Sequence, residues 1–294
     1  MANVIGGINL AQIAQNSLDA LLVEAFPLRA FTTDFSADIA DVGESVSTRV
    51  ASAVAVGDAT TGYTAADVTS TAKTITLDNH KHFTMAFTDL EIAKGGMTLL
   101  ERTFVRPAVH AVVNSMMDAV LAKVKNAPFT SNSVVAAADF DADDVADCAK
   151  DLTVLNVPRT GRSLIVPPTY YGNLAKDSAI QAAYAYGGSE AIRENKVPRV
   201  HGFDVYEYGD IPANGENLAA FACGQESLLI AARQPALPQN WYGSVESATD
   251  PDSGLTIQLR NWYDGTAGKQ NIAATVMFGV GTGTLGLKRI KSAA

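Results

Sequence analysis

Three groups of residues in this chain have the types and spacing that chemistry requires. Asp139, Asp141, Asp143, Asp144 and Asp147 crowd one short stretch, His80 and His82 stand two apart, and Gly281, Gly283 and Gly286 follow the GxGxxG spacing. Clustered carboxylates hold calcium, paired histidines on one strand face begin a transition-metal site, and a glycine-rich turn admits a dinucleotide pyrophosphate. The spacing argues against each. An EF-hand loop opened at Asp139 would need glycine at its sixth position and glutamate at its twelfth, where this chain has Asp144 and Lys150. The aspartates read instead as the acidic first turn of a helix, capped by Asp139 or Asp141. His80 and His82 have no third ligand nearby in sequence and read as solvent-exposed strand histidines, with His110 on a helix and His201 in a loop. A dinucleotide fold needs a helix and a second strand after its glycines, and the chain after Gly286 is too short for both, so these glycines allow a tight turn or close backbone contact. GxSxG, Walker lysine and HExxH motifs are absent. No catalytic, cofactor-binding or metal-binding residue is assigned, no cofactor is expected, and the chain is read as a non-enzyme.

Composition narrows the classes further. The chain has 294 residues, of which 47% are hydrophobic, enough for one large domain or two modest ones with real cores. Its net charge of -9 argues against a general nucleic-acid-binding surface, because affinity for phosphate comes from clustered Lys and Arg. Lys288, Arg289 and Lys291 near the end read as a solvated tail. Cys148 and Cys223 lie in apolar settings without a CxxC pair and read as buried, reduced thiols. No stretch is apolar and long enough for a membrane span, and the N-terminus lacks the pattern of a signal peptide.

The elements that would position any functional surface are dominated by one helix. From Met97 to Asn126 apolar residues fall in adjacent pairs at every fourth position: Leu99/Leu100, Phe104/Val105, Ala108/Val109, Val112/Val113, Met116/Met117 and Val120/Leu121, closed by Val124. That spacing predicts a one-sided rod of about 30 residues and about 45 Å, bent at Pro107. Ile8 to Leu22 predict an amphipathic helix that stops before Pro27. Between Val46 and Phe87, alternating Ala, Thr and Val, with a turn region at Gly57 to Gly62, predict two strands. A hairpin with such small side chains buries little area alone and needs a partner surface. Downstream, a helix to about Leu155, a buried strand from Arg162 ended by prolines, and a helix near Tyr170 to Lys176 are expected. Strands follow at Val205 to Tyr208, Leu255 to Trp262 and Ile272 to Val280, with Leu218 to Phe221 and Leu228 to Ala232 as strand or short helix.

This order of parts resembles the major capsid proteins of tailed bacteriophages, whose fold is shared by encapsulin shells and the herpesvirus capsid floor. Ala30 to Ser36 and Gly43 to Val50 look like the N-arm leading into the family's extended loop. Met97 to Asn126 is similar to the spine helix, Arg162 to Gly172 to a strand and helix of the axial domain, and Gly202 to Glu207 to its next strand. The resemblance implies an α+β fold. Its expected parts are an N-terminal helix and N-arm at 1–45 and an extended β-hairpin loop at 46–88. A peripheral domain at 89–135 and 240–294 holds the spine helix at 97–126, with an axial domain at 136–239. It further implies a homo-oligomer of hexamers and pentamers in an icosahedral virion shell that encloses double-stranded DNA without sequence-specific binding. Scaffolding and portal proteins are the implied partners, the membrane is not, and synthesis is expected in a bacterial host cytoplasm. Arg49, Asp58, Tyr63 and Lys73 are the inter-subunit contact candidates. Because the chain begins almost at the arm, scaffolding is expected to be separate or unnecessary. Lys73 and Lys81 occupy loop positions, and no isopeptide cross-link is expected. The alternatives are an encapsulin-like nanocompartment shell and, from another class, a cytoplasmic enzyme.

Overall fold

The computed structural model describes residues 26–51, 70–95, 111–112, 114–178, 180, 197, 199–238, 241–249 and 255–292. The expected helix at 8–25, the hairpin tip with Asp58 and Tyr63, and the rod before 111 with Pro107 and His110 lie outside the described residues.

Thirteen strands are described: β1 (Thr32–Ala40), β2 (Ser45–Ala51), β3 (Ser70–Thr76), β4 (Asn79–Thr88), β5 (Asn132–Val134), β6 (Arg162–Val166), β7 (Phe203–Glu207), β8 (Leu218–Gly224), β9 (Leu228–Pro235), β10 (Ser244–Thr249), β11 (Thr256–Asp264), β12 (Lys269–Thr282) and β13 (Leu287–Lys291). They form a six-stranded sheet, a five-stranded sheet and a two-stranded hairpin.

The larger sheet is organised by β12. Its first half pairs with β11 through 269–275 and, in the same span, with β4 through 269–278, so these two strands occupy opposite edges. β9 pairs with 277–282 and overlaps β4 at Met277 and Phe278, so β9 continues the edge that β11 leaves. β10 extends the sheet beyond β11, and β1 runs parallel to β9 on its far side. The smaller sheet has the order β5-β13-β8-β6-β7, with the outer pairs parallel and the inner ones antiparallel.

Strand periodicity divides the side chains between two main cores. On β6, Leu164 and Val166 pack toward the helices Ala142–Val154 and Pro168–Lys176, while Ile165 joins the core shared with the larger sheet. On β8, Ala220 and Ala222 face the helices, whereas Phe221 and Cys223 face the other way. The predicted stripe of the rod appears in its described part. Helical backbone runs to 121, and Met116, Met117, Val120, Leu121 and Val124 are all fully buried against the larger sheet's core. Each such side chain contributes about 1.5–3 kcal/mol of burial.

Asp141 is the helix cap: its carboxylate accepts from the Asp143 and Asp144 amides at 3.0 and 3.2 Å, and Asp144 returns the bond to the Asp141 amide. Asp141, Asp143 and Asp144 thus cap and begin the helix as their placement predicts, while Asp139 ends a preceding 3-10 turn and Asp147 lies further along the helix. Two expectations change. The hairpin partner of β2 is β3, whereas Asn79–Thr88 turns into the larger sheet beside β12. Its bulk explains this: Phe83, Met85 and Phe87 alternate toward the core, unlike the small residues of β2 and β3. The second correction concerns the supposed solvated tail. Lys288 to Lys291 form β13, between β5 and β8 in the smaller sheet, with Arg289 fully buried. Leu287 and Ile290 fill the two cores, and their burial outweighs the pull of the cations toward water.

Candidate assembly surface

The hairpin β2–β3 pairs antiparallel from Ser45↔Thr76 to Ala51↔Ser70. Its ladder is extended at the base by Leu77 N–H donating to the Glu44 carbonyl and Gly43 N–H donating to the Leu77 carbonyl, both at 2.8 Å. The base is anchored by Ile75 and Leu77, which are buried with Ala40, Ala231 and Met277 in a third, small core. Two glycines of β12 make room for it. A Cβ on Gly279 would overlap the Thr76 carbonyl oxygen, and one on Gly281 would lie 3.2 Å from Ile75 Cγ1. Away from this seat, Ala72, Thr74 and Thr76 are exposed and Lys73 is half-buried.

Of the contact candidates, Arg49 and Lys73 lie on opposite arms, one register step apart: Arg49 faces Ala72 and Lys73 faces Thr48. The structure thus brings two of the four to one element. Asp58 and Tyr63 are outside the described residues.

β1 supplies a second extended segment. It follows a 3-10 turn at Phe26–Ala30 whose Leu28, Ala30 and the adjacent Phe31 are buried, with the Phe31 ring stacked 6.4 Å from Phe221. Asp34 ties it to β9, since Arg233 Nη2 donates to Asp34 Oδ2 at 3.0 Å and Nη1 to the Asp34 carbonyl at 2.8 Å. Past this tie, Ile39 near the end of β1 and Val42 in the turn that follows are exposed at 70% and 61%.

At the end of the larger sheet, the turn between β11 and β12 is held to the helix Asp89–Gly95. Tyr263 Oη donates to Asp89 Oδ2 at 2.9 Å, and the Asp89 amide donates to the Gly268 carbonyl. Glu91 closes the start of that helix by accepting from the Thr88 amide and hydroxyl, bonds that hold its carboxyl below the usual range. Leu90, Tyr242 and Tyr263 are exposed there.

The residues first considered for chemistry have structural settings. His80 and His82 are exposed on β4; partial desolvation of the His80 ring where it meets the sheet, then the charges of Arg260 and His82, lower the His80 pKa. Among the described residues no three potential metal ligands come together. The glycine motif makes close backbone contacts: a Cβ on Gly283 would overlap the Glu226 carbonyl oxygen, and one on Gly286 would lie 2.9 Å from Leu155 Cδ1. Both thiols are buried and unbridged, and burial pushes each up to about 12.

Two arginines prove buried and bonded in ways that sequence reasoning missed, Arg162 having been read only as a strand start and Arg289 as part of a solvated tail. Arg162 sits at the end of helix Ala142–Val154, donating to the carbonyls of Ala149, Val157 and Pro158 and to Thr153 Oγ1 at 2.6–3.1 Å. Arg289 donates to the Phe129 carbonyl, Asn126 Oδ1 and the Glu216 carboxylate. Arg162's partners lie 4 to 13 residues upstream and are mostly backbone carbonyls, whereas Arg289's lie at least 73 residues away, so no side-chain motif marks either. Only an arginine inside an apolar strand pattern hints at their burial.

No protein-family model matches the chain, and no curated protein matches it in sequence. Solved structures do match. A capsid structure of the cyanophage P-SCSP1u aligns over 90% of this chain and 86% of its own, at 14% identity and TM-score 0.60. The mature capsid of bacteriophage PhiM1 aligns over 89% and 86%, at 12% identity and TM-score 0.59. The capsid of Ralstonia phage GP4 aligns over 90% and 87%, at 12% identity and TM-score 0.57. The chain therefore has the α+β fold found in these phage capsids. No described helix is long and apolar enough to cross a membrane.

Proposed function

We propose that this chain is the major capsid subunit of a tailed bacteriophage, assembling as hexamers and pentamers of an icosahedral shell that encloses double-stranded DNA. The observation that supports this reading most is the likeness to phage capsid structures across about nine-tenths of both chains. The local structure agrees with it. A hairpin seated at its base by Ile75 and Leu77, with Ser45, Ser47, Ala72, Thr74 and Thr76 exposed among its described residues, gains interface area when laid on a second subunit. Arg49, Asp58, Tyr63 and Lys73 are the proposed contact residues on that hairpin. The net charge of -9 suits a container, because a mildly repulsive lining leaves packaged duplex mobile. Scaffolding and portal proteins are proposed partners, and the virion is the proposed location.

Deleting residues 56–64 tests the loop's role. The subunit should keep its circular dichroism spectrum and melting transition but form few shells. Assembly of this variant at the normal yield refutes the role given to the hairpin.

A further inference from the structure

The C-terminal end of the buried rod is closed partly by its own last turn, where the Lys123 and Val124 amides donate to the Val120 and Leu121 carbonyls at 3.0 Å, and partly by a loop about 90 residues away. Asn214 Nδ2 donates to the Leu121 and Val124 carbonyls at 2.9 and 3.1 Å, a second donor for Leu121 and a cap for Val124. Two residues on, both Glu216 carboxylate oxygens accept from the Asn126 amide at 3.1 Å. The same carboxylate pairs with Arg289 of β13, whose side chain is fully buried and which also donates to Asn126 Oδ1 at 2.6 Å and the Phe129 carbonyl at 2.9 Å. One loop thus bonds the helix end and the C-terminal strand together. That loop also holds three left-handed residues: Asn214, Gly215 and Asn217 have φ of 54°, 72° and 54°. Asn and Gly adopt this conformation readily, and the loop is closed on itself by the Glu216 and Leu218 amides, which donate to the Ala213 carbonyl at 2.9 and 3.1 Å.

We propose that the loop 213–217 is a latch with two states. Closed, it fixes the rod's end against β13. Open, it releases both at once, because freeing Glu216 leaves Arg289 as a buried cation without its carboxylate and β13 must shift to rehydrate it. The latch couples the rod to the smaller sheet, and the assembling subunit is the closed one. This last step rests on the shell reading; the coupling does not.

Amide hydrogen exchange on the dissociated full-length subunit tests the coupling. Glu216→Gln removes the charge while keeping the side-chain shape, and Asn214→Gly removes the helix-end bonds while tolerating the left-handed backbone. Each should speed exchange at least tenfold at Asn126 and Phe129 and, together with them, at Arg289 and Ser292, whose amides donate to Ser131 and Asn217 carbonyls. Leu164 and Ile165 in β6 should keep their rates. Faster exchange at Asn126 with Arg289 unchanged overturns the latch. If Glu216→Gln accelerates β6 equally, the milder Asn214→Gly decides. Shell yield is then measured for both variants against wild type. A loss of several-fold supports the closed subunit as the assembling form, and an unchanged yield with coupled exchange overturns that step alone. Failure of wild type itself to assemble refutes the shell reading and leaves the exchange result standing.

Discussion

Gly279→Ala should lift the hairpin from its seat. The added methyl would overlap the Thr76 carbonyl oxygen and lie 2.8 Å from the Thr76 carbonyl carbon and 2.9 Å from Ile75 Cγ2. Ordinary carbon contacts are about 3.5–4.0 Å, so β3 must retreat by roughly 1 Å. The obstacle is backbone, which cannot rotate away, so the cost falls in the upper part of the about 1–3 kcal/mol range for overpacking. Ile75 and Leu77 are the anchors at stake, each contributing about 1.5–3 kcal/mol of burial. A loss of about 2 kcal/mol lowers Tm by roughly 4–8 °C in a domain of this class. Gly281→Ala is the milder comparison, because its nearest neighbour is a side-chain atom, Ile75 Cγ1 at 3.2 Å, which need give by only a few tenths of an ångström. Thermal unfolding of both variants and shell yield by light scattering are the assays. Gly279→Ala should lose more stability than Gly281→Ala and assemble less well. A Gly279→Ala protein with unchanged Tm and normal assembly would refute the claim that this glycine seats the hairpin.

Arg162→Met removes four hydrogen bonds and takes this donor from the buried Val157 carbonyl, which should cost about 2 kcal/mol in urea unfolding; a loss under about 0.5 kcal/mol would contradict the role given to this arginine. Cys148 and Cys223, both buried with thiols near 12, should react with a thiol reagent at pH 8 only after denaturant is added, and prompt labelling of the native protein would show the burial to be wrong. His80 is held below its ordinary value, so the fold favours its neutral form: the contribution is fully present above the unfolded value near 6.5 and declines as pH falls through that value. Stability should therefore fall from pH 7 toward pH 5 and fall less in His80→Gln; equal slopes for the two proteins would remove His80 as the cause.

The elements with a strong period could be read from the sequence, and those whose partners are distant could not. Paired apolar residues placed Met116 to Val124 on one buried face, and the helix begun by Asp141 carries its cap and its acids within one turn. Ile272 to Val280 reads as a strand because it is apolar on both faces, and it lies at the centre of the larger sheet. By contrast, Lys288 and Arg289 mimic a solvated tail in sequence. What buries them is Asp151, Phe129 and Glu216, all at least 73 residues away along the chain. β1 and β10 also escaped, since Thr32–Ala40 and Ser244–Thr249 are polar enough to pass for loop and become strands only through β9 and β11. Of the candidate surface, the strands at 46–51 and 74–76 and the close approach of the Gly281, Gly283 and Gly286 backbone were legible, and the departure of Asn79–Thr88 into the larger sheet was not. The seat was not, because Gly279 opposite Thr76 is a fact of packing between strands remote in sequence.

The central claim is that this subunit builds a shell, and electron microscopy of the purified chain, with light scattering for mass, tests it most directly. Closed shells, or rings of five and six, are the predicted result, with packaged DNA or enzyme cargo distinguishing a phage head from a nanocompartment. A uniform small oligomer that never assembles, even with a scaffolding protein supplied, would contradict the account.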